Sequence, residues 1–264
     1  MAKQENKYIK EFVGHYQKLK IKKIIIYDNN DINGETFKVL LKNEIKKKFI
    51  KLINYRGIKS PQNKALNNCY QKYNHLFDWI AFYDVDEFLY IRNYTNINSF
   101  LSLPQFKKCQ NIIINWKYFG DNDKIYYNEK PLTERFTKPI NISNNLKILN
   151  DKYYIAAAKS IVRSGLKLNW GLFPHYLINT INCRPNGSIL NDYFYPYDHS
   201  IAYINHYLTK STEEFVEKLK RGDVLHNATD DYILNRINNY YFLFNKKTKQ
   251  KIQIFKKNFK NIVF

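Results

Sequence analysis

The fold prediction rests on one stretch, Trp79-Ile-Ala-Phe-Tyr-Asp-Val-Asp-Glu-Phe88. Its first five residues are uninterruptedly apolar or aromatic, which is typical of a buried strand. Three carboxylates follow at once, at Asp84, Asp86 and Glu87. Two carboxylates spaced two apart beyond a buried strand can converge on Mn²⁺ or Mg²⁺, which prefer oxygen ligands. The alternative is an acidic turn that caps the next segment.

Helices and strands alternate in front of this stretch. The predicted order is helix 5–20, strand 21–27, helix 35–47, strand 49–55, helix 62–73 and strand 79–83. This alternation predicts an α/β fold, Rossmann-like, with a mixed, mostly parallel sheet flanked by helices. Ligands of such sheets bind at the carboxyl ends of the strands, where Asp28 and Asp84 both fall.

The second half of the chain predicts one further clear strand and a helical end. Asn111–Trp116 reads as a strand, and short strand-like pieces separated by turn signals occupy residues 125–205. Ser211-Thr-Glu-Glu214 is a capping box, which predicts a helix over 211–221, and two more helices follow through 230–244 and 246–259. We therefore predict a sheet domain over residues 1–210 and a C-terminal helical extension over 211–264, packed on it.

The charge of the chain is its most prominent compositional feature. The 264 residues include 43 Lys and Arg against 23 Asp and Glu, which gives a net charge of +20. A hydrophobic content of 44% excludes intrinsic disorder. Only seven basic residues are Arg, and Lys is spread over nearly every segment, which favours compositional drift on a solvated surface. Attraction to nucleic acid or to an anionic membrane is the functional alternative.

Cysteine usage and hydropathy suggest a compartment. The three cysteines are too few for a disulfide framework, and none belongs to a Cys-x-x-Cys pair, which favours reducing conditions and argues against structural zinc. The sequence has no run of about 18 apolar residues and no apolar segment near Met1. We expect a cytoplasmic protein, with peripheral membrane association as a further hypothesis.

Two histidines could extend the carboxylate site. His206 follows the apolar run that ends at Ile204, and His175 lies in Trp170-Gly-Leu-Phe-Pro-His-Tyr176. Imidazole at a strand end can complete a carboxylate metal site. A structural histidine satisfied by its neighbours is the alternative for each.

Seven ordered segments between residues 5 and 221 bear a resemblance to a known family. They are Glu5-Asn-Lys-Tyr-Ile-Lys-Glu-Phe12, Ile26-Tyr-Asp-Asn-Asn-Asp31, Asp78-Trp-Ile-Ala-Phe-Tyr-Asp-Val-Asp-Glu-Phe88, Asn115-Trp-Lys-Tyr-Phe-Gly120, Glu134-Arg-Phe-Thr137, Lys159-Ser-Ile-Val-Arg163 and Asn205-His-Tyr-Leu-Thr-Lys-Ser211. With these segments the chain resembles glycosyltransferases of family 92 and the family 2-like group, which have a GT-A fold with a DxD motif.

The resemblance implies a metal-dependent transfer of a sugar from a nucleotide-diphosphate donor, a UDP-sugar, to a hydroxyl of a glycan or glycolipid. It implies that Asp84 lies near the ribose and the metal, and that Asp86 binds Mn²⁺ or Mg²⁺ directly. His206 is the third metal ligand by the same likeness.

The resemblance also implies contacts to the donor. Asp28 would face the nucleobase, and Arg56 and Gln62 would contact the nucleotide. Positive charge near the diphosphate could come from one of three cations, the alternative for each being an ordinary surface cation. They are Lys159, Arg163 and Lys210.

An inverting reaction needs a carboxylate base within hydrogen-bond reach of the acceptor hydroxyl. Glu134 and Asp121 are the candidates for that catalytic base. The structural alternative for either is an ion pair with Arg135 or a loop cap.

Two other functions stay open from the sequence alone. A basic nucleic-acid-binding protein could use the positive charge for phosphates and the many Tyr and Phe side chains for base stacking. A metal-dependent nucleotidyltransferase would share the acidic pair.

Overall fold

The computed structural model describes residues 1–58, 61–140, 157–168, 174–191, 197–222 and 229–261. The chain divides into two compact units. The first comprises Met1–Lys117 and Leu149–Asn205, and the second comprises Tyr118–Ile148 and His206–Phe264. The predicted boundary at residue 210, and the packing of the extension on the sheet domain, stay predictions.

Short strands and helices alternate along the chain. The strands are β1 (Ile24–Asp28), β2 (Ile50–Asn54), β3 (Trp79–Ala81), β4 (Glu87–Ile91), β5 (Asn111–Phe119), β6 (Ala158–Arg163), β7 (Asn182–Cys183), β8 (Ile189–Leu190) and β9 (Ala202–Tyr207). The α-helices are α1 (Ile9–Lys18), α2 (Phe37–Leu40), α3 (Lys42–Lys46), α4 (Gln62–Tyr73), α5 (Ile97–Leu101), α6 (Leu132–Arg135), α7 (Thr212–Arg221), α8 (Asp230–Arg236), α9 (Phe242–Phe244) and α10 (Lys249–Asn258). Short 3₁₀ turns lie at Asn74–Leu76 and Pro104–Phe106, and a π-helical stretch, Ile237–Tyr241, joins α8 to α9.

The described strands form two sheets, of which the smaller is parallel and the larger is of mixed direction. Strands β1 and β2 pair in parallel, with Ile24 opposite Ile50. In the larger sheet the order is β3-β6-β5-β7-β8, and β9 pairs with both β4 and β5. Strand β6 is antiparallel to β3 and to β5, whereas β5 and β7 are parallel.

The α/β class and the mixed sheet are therefore confirmed, but the expectation of a mostly parallel sheet is wrong. Hydrophobic runs show where strands lie and carry no information about their direction. Antiparallel neighbours need no crossover helix, so β6 can enter between β3 and β5 without one. The GT-A arrangement stays a prediction.

Helix α1 packs on β4 in the first unit. Its residues Ile9, Phe12, Val13 and Tyr16 are buried, at the spacing of one helix face. The Tyr16 hydroxyl donates to the Glu87 carbonyl at 3.0 Å, and the Leu89 N–H donates to that hydroxyl. This helix therefore fixes the start of β4, which borders the predicted site.

The second unit is held by a capped helix and an aromatic core. The predicted capping box is confirmed: the Ser211 hydroxyl accepts from the Glu214 N–H, and the Glu214 carboxylate accepts from the Ser211 N–H. The Arg135 guanidinium donates to both Glu214 oxygens, at 2.7 and 2.8 Å, in a fully buried pair. Phe215, Tyr241 and Phe255 pack together behind this cap. In the described part of the chain, no helix has the length and apolar character needed to cross a membrane.

A disulfide joins Cys109 to Cys183, with their Cα atoms 5.8 Å apart. It ties the residue two before β5 to the end of β7, and both cysteines are buried. This bond corrects the inference drawn from the cysteine count, because a bonded pair does not favour reducing conditions. The count could not reveal it, since two cysteines 74 residues apart show no pairing pattern.

Reduction of this bond should destabilise the chain. Closing a loop of 74 residues removes conformational entropy from the unfolded state, so we expect tris(2-carboxyethyl)phosphine to lower the free energy of unfolding by about 2–4 kcal/mol. Urea unfolding with and without reductant measures the change. Cys183→Ser is the matched control, because reductant should leave its stability unaltered. Equal effects of reductant on both chains would contradict the prediction.

Candidate active site

Two of the three predicted carboxylates, Asp84 and Asp86, lie in the turn between β3 and β4, and Glu87 is the first residue of β4. Two hydrogen bonds close this turn: the Glu87 N–H donates to the Asp84 carbonyl at 3.1 Å, and the Asp84 N–H donates to the Glu87 carboxylate at 3.0 Å. These two bonds to Glu87 therefore fix the position of the Asp84 backbone. Its carboxylate points into the protein, and neighbouring Phe88 is completely buried.

Lys159 lies on β6, and its buried ammonium group contacts the carboxylates of Asp84 and Glu87. Its Nζ is 2.7 Å from an Asp84 oxygen and 3.5 Å from a Glu87 oxygen. The Lys159 and Glu87 side chains are 3% and 0% exposed, but the Asp84 side chain is 47% exposed. Asp84 thus presents its carboxylate to solvent while a buried cation holds it from the inside.

The ion pair sets the protonation of these groups. Burial alone would raise the pKa of Asp84, but the Lys159 ammonium outweighs it and lowers that pKa to about 2. Burial would likewise lower the pKa of Lys159, and the carboxylates of Asp84 and Glu87 raise it instead. Burial raises the pKa of Glu87 well above its ordinary value. Asp84 is therefore an anion and Lys159 a cation over the whole physiological range.

Trp116 packs beside the Lys159 side chain, and His175 packs against Trp116. The Lys159 Nζ lies 5.9 Å from the centre of the Trp116 ring, within the reach of a cation–π contact. The His175 ring meets Trp116 edge to face at 5.3 Å, and its Nδ1 donates to the Ala158 carbonyl at 2.7 Å. His175 is thus a structural histidine beside the backbone of β6, the alternative that the sequence left open.

His175 should make stability depend on pH. Burial, with the nearby charge of Lys159, lowers its pKa to about 4. Between about pH 6.5 and pH 4, His175 is therefore protonated in the unfolded chain but neutral in the folded chain. The free energy of unfolding falls as the pH drops through this range. In His175→Asn we expect the fall in the free energy of unfolding between pH 7 and 4.5 to be smaller by about 2 kcal/mol than in the unaltered chain. Urea unfolding at the two pH values measures it. His75→Asn, at an exposed histidine, is the control and should follow the unaltered chain. An equal fall in the free energy of unfolding between pH 7 and 4.5 in all three chains would refute the assignment.

Asp28, Arg56 and Gln62 lie in the first unit, as does Asp84. Asp28 ends β1 and is buried, with one oxygen accepting from the Asn30 N–H and the other 3.8 Å from Arg56. Arg56 donates to the carbonyls of four loop residues, Asp31, Ile32, Gly34 and Glu35. Arg56 therefore closes the loop that follows Asp28. Gln62 begins α4 and lines a cavity of about 750 Å³ together with Asp84 and Lys159.

The two candidate bases belong to the second unit and differ in accessibility. Asp121 is buried, and its carboxylate contacts Lys251 Nζ at 2.6 Å and accepts from the Tyr241 hydroxyl and the Asp123 N–H. Glu134 is exposed on α6. Its predicted ion pair with Arg135 is replaced by the pair of Arg135 with Glu214.

His206 and Lys210 are also residues of the second unit. His206 is buried, with its ring 5.9 Å from that of Tyr118. Lys210 is buried and has a φ of 56°, which is uncommon for a residue other than glycine. The approach of either residue to Asp84 stays a prediction.

The third cation that the sequence offered, Arg163, serves a structural role. Its guanidinium donates to the carbonyls of Phe106 and Cys109 and stacks on the Trp79 ring at 4.2 Å. Of Lys159 and Arg163, it is therefore Lys159 that contacts the acidic turn.

The metal prediction can be compared with the donor atoms present. The oxygens of Asp84 and Asp86 are of the type that Mn²⁺ and Mg²⁺ prefer, and Asp86 is buried. Among the described residues, no three His, Cys, Asp or Glu side chains form a group that could hold a metal ion. A metal here would need further oxygens, such as those of a diphosphate.

The comparisons with known proteins agree with the resemblance. The sequence model of glycosyltransferase family 92 matches residues 1–260. No curated protein matches the chain. The family match gives no support to the nucleic-acid-binding or nucleotidyltransferase alternatives.

Proposed function

Because this chain belongs to glycosyltransferase family 92, we propose that it transfers a sugar from a UDP-sugar to a hydroxyl group of a glycan or glycolipid. Family membership implies glycosyl transfer, and the donor, the acceptor and the metal are our proposal. The observation that supports it most is the Asp84 carboxylate, three residues beyond the end of β3, half exposed and held by the buried Lys159. Asp84 also lines the cavity of about 750 Å³, so a ligand bound there can reach its carboxylate.

The residues of the acidic turn fit a divalent cation. Asp84 and Asp86 would hold Mn²⁺ or Mg²⁺, because their oxygens suit a hard ion and Asp84 is ionised at neutral pH. When bound, such an ion stabilises negative charge on a diphosphate leaving group.

Lys159 has two roles in this proposal. It keeps the Asp84 carboxylate charged and oriented, since the two groups are 2.7 Å apart. It also offsets the mutual repulsion of three neighbouring carboxylates, which would otherwise disfavour their ionised forms. The cation therefore prepares the site for an anionic donor before the donor arrives.

Glu134 is the better of the two candidate bases. A base must accept a proton from a hydroxyl that comes from solution, and the Glu134 side chain is exposed. Asp121 has its oxygens occupied by Lys251, Tyr241 and the backbone of Asp123. We assign Asp121 a structural role in the second unit.

A thermal-shift panel of nucleotide sugars, with Mn²⁺ or with excess EDTA, tests the donor class. At a ligand concentration about 100 times the dissociation constant, binding adds about 2.7 kcal/mol, which raises Tm by roughly 5 °C or more. We expect that shift for a UDP-sugar with Mn²⁺ and a smaller one with EDTA. Stabilisation by GDP- or ADP-sugars instead would contradict the donor assignment, and the same shift in EDTA would contradict the metal.

A further inference from the structure

A second groove, of about 460 Å³, lies in the first unit where α2 and α3 meet the starts of β1 and β2. Four exposed lysines line it, and they are Lys23 just before β1, Lys38 on α2, Lys48 just after α3, and Lys51 on β2. The rest of its lining is aliphatic and includes the half-buried Ile45 and Leu52. We call it the lysine groove.

The positive charge of the lysine groove is not balanced by the protein around it. Among the described residues, none forms an ion pair or a hydrogen bond with any of the four ammonium groups. The described lining contains no acidic side chain, and Glu44, the acidic residue of α3, lies outside it and is half-buried. Like charges around one groove repel each other and attract an anion. The groove therefore gives part of the +20 charge a definite place.

The backbone holds Lys48 in a conformation that favours glycine. Helix α3 ends with two hydrogen bonds, from the Lys48 N–H to the Ile45 carbonyl at 2.9 Å and from the Phe49 N–H to the Glu44 carbonyl at 3.0 Å. In this type of helix end the residue at the Lys48 position is left-handed and is usually glycine. Lys48 has a φ of 59°. A glycine would suit the backbone better, but it would remove one of the four cations from the groove.

We propose that the lysine groove docks this protein on an anionic membrane, with a lipid phosphate held among the lysines. Lysine suits such a surface, because its flexible stem and compact charge need no fixed partner geometry. Each lysine near an anionic bilayer strengthens binding by about fivefold. Val39 follows Lys38 on α2 and is 74% exposed, so an apolar side chain lies beside the cations. Exposed apolar and basic side chains occur together on helices that lie in a membrane interface.

The lining favours a lipid over other anionic partners. A free phosphate ion is best held by arginine or by backbone N–H groups at fixed distances, whereas this groove offers lysines around an aliphatic floor. Single-stranded nucleic acid binds through aromatic side chains on which its bases stack, and the described lining has no aromatic side chain. A lipid is itself amphiphilic, so it matches both the charge and the aliphatic floor.

A membrane bound at the lysine groove leaves the predicted donor end of β1 free. Lys23 precedes the first residue of β1, and Asp28 is the last. The five residues of this strand span about 16 Å. Docking at one end of the strand therefore does not block the other end, where Asp28 lies.

Co-sedimentation of the full chain with sucrose-loaded vesicles, in about 0.1 M NaCl, tests the proposal. The vesicles contain phosphatidylcholine alone or phosphatidylcholine with phosphatidylglycerol. We expect the unaltered chain to bind the anionic vesicles at least roughly 100-fold more tightly than the neutral ones. The assay contains no nucleotide sugar, so its outcome is independent of the proposed reaction.

Two double variants locate the binding surface. Lys48→Gln with Lys51→Gln should weaken binding to the anionic vesicles by roughly 20-fold. Lys256→Gln with Lys257→Gln is the matched control, because it removes the same charge from exposed positions on α10. It should bind within about threefold of the unaltered chain.

Lys48→Gly separates membrane binding from folding. It should weaken vesicle binding by about fivefold and leave Tm unchanged or higher, because the left-handed backbone favours glycine. A Lys48→Gly chain that binds the vesicles as tightly as the unaltered chain would count against the groove.

Equal weakening by the two double variants would show attraction to the net charge alone and would overturn the proposal. Equal binding to both kinds of vesicle, or to neither, would overturn it too. Full release from the vesicles by millimolar inorganic phosphate would identify a site for a soluble anion instead. Binding to poly(U) without binding to the anionic vesicles would assign the lysines to a nucleic acid, which also contradicts the proposal.

Discussion

Lys159→Met should lower the free energy of unfolding by about 3 kcal/mol. Methionine keeps most of the length of the side chain, but it removes the cation from the 2.7 Å contact with Asp84 and the 3.5 Å contact with Glu87. Glu87 is completely buried, so without Lys159 its carboxyl group either keeps an unpaired charge that water does not reach or takes up a proton, and both cost free energy. Asp84 is half exposed and contributes less to the loss, because solvent screens it.

Urea unfolding at pH 7 measures this loss, and two further variants identify its cause. Lys167→Met, at an exposed lysine just beyond β6, should change stability by less than about 0.5 kcal/mol. Adding Glu87→Gln to Lys159→Met should recover part of the loss, because the buried carboxyl group that has lost its partner is then removed as well. A Lys159→Met chain as stable as the Lys167→Met chain would refute the role given to this ion pair.

Asp86→Asn should reduce the rate of UDP release from the donor by roughly 100-fold or more. The substitution keeps the shape of the side chain and removes the negative charge that we assign to binding the cation. Because Asp86 lies in the same turn as Asp84, the substitution should slow the cleavage of the donor as well as weaken its binding.

Asp78→Asn is the matched control for this experiment. Asp78 lies just before β3, at the other end of the same strand, and is exposed. Asp78→Asn should release UDP at a rate within about twofold of the unaltered chain. The free energies of unfolding of both variants should lie within about 1 kcal/mol of that of the unaltered chain. An Asp86→Asn chain that is stably folded and fully active would exclude Asp86 from the site.

The sequence predicts the position of the candidate site better than its internal structure. The apolar run 79–83 correctly places a strand just before Asp84, although β3 ends at Ala81. Capping chemistry is local, so the start of α7 at Ser211 is also predictable. Such features depend on residues a few positions apart, which is the range over which a sequence pattern is informative.

The remaining features depend on residues far apart in the chain. Lys159 is 75 residues from Asp84, and the pattern offers it only as one of three cations that could lie nearby. The ion pair of Asp121 with Lys251 and the bond of Cys109 to Cys183 also join residues that are far apart in the sequence. Strand direction is set by how these distant segments meet, which explains why the mostly parallel sheet was a wrong prediction.

UDP release by the purified, unaltered chain tests the central claim most directly. The assay uses the donor selected by the thermal-shift panel and runs with Mn²⁺, with excess EDTA, and with Mn²⁺ restored after EDTA. We predict release with Mn²⁺, its loss in EDTA, and its return when Mn²⁺ is restored. A folded chain that releases UDP from no donor of the panel, or at the same rate in EDTA, would contradict a metal-dependent sugar transfer at Asp84 and Asp86.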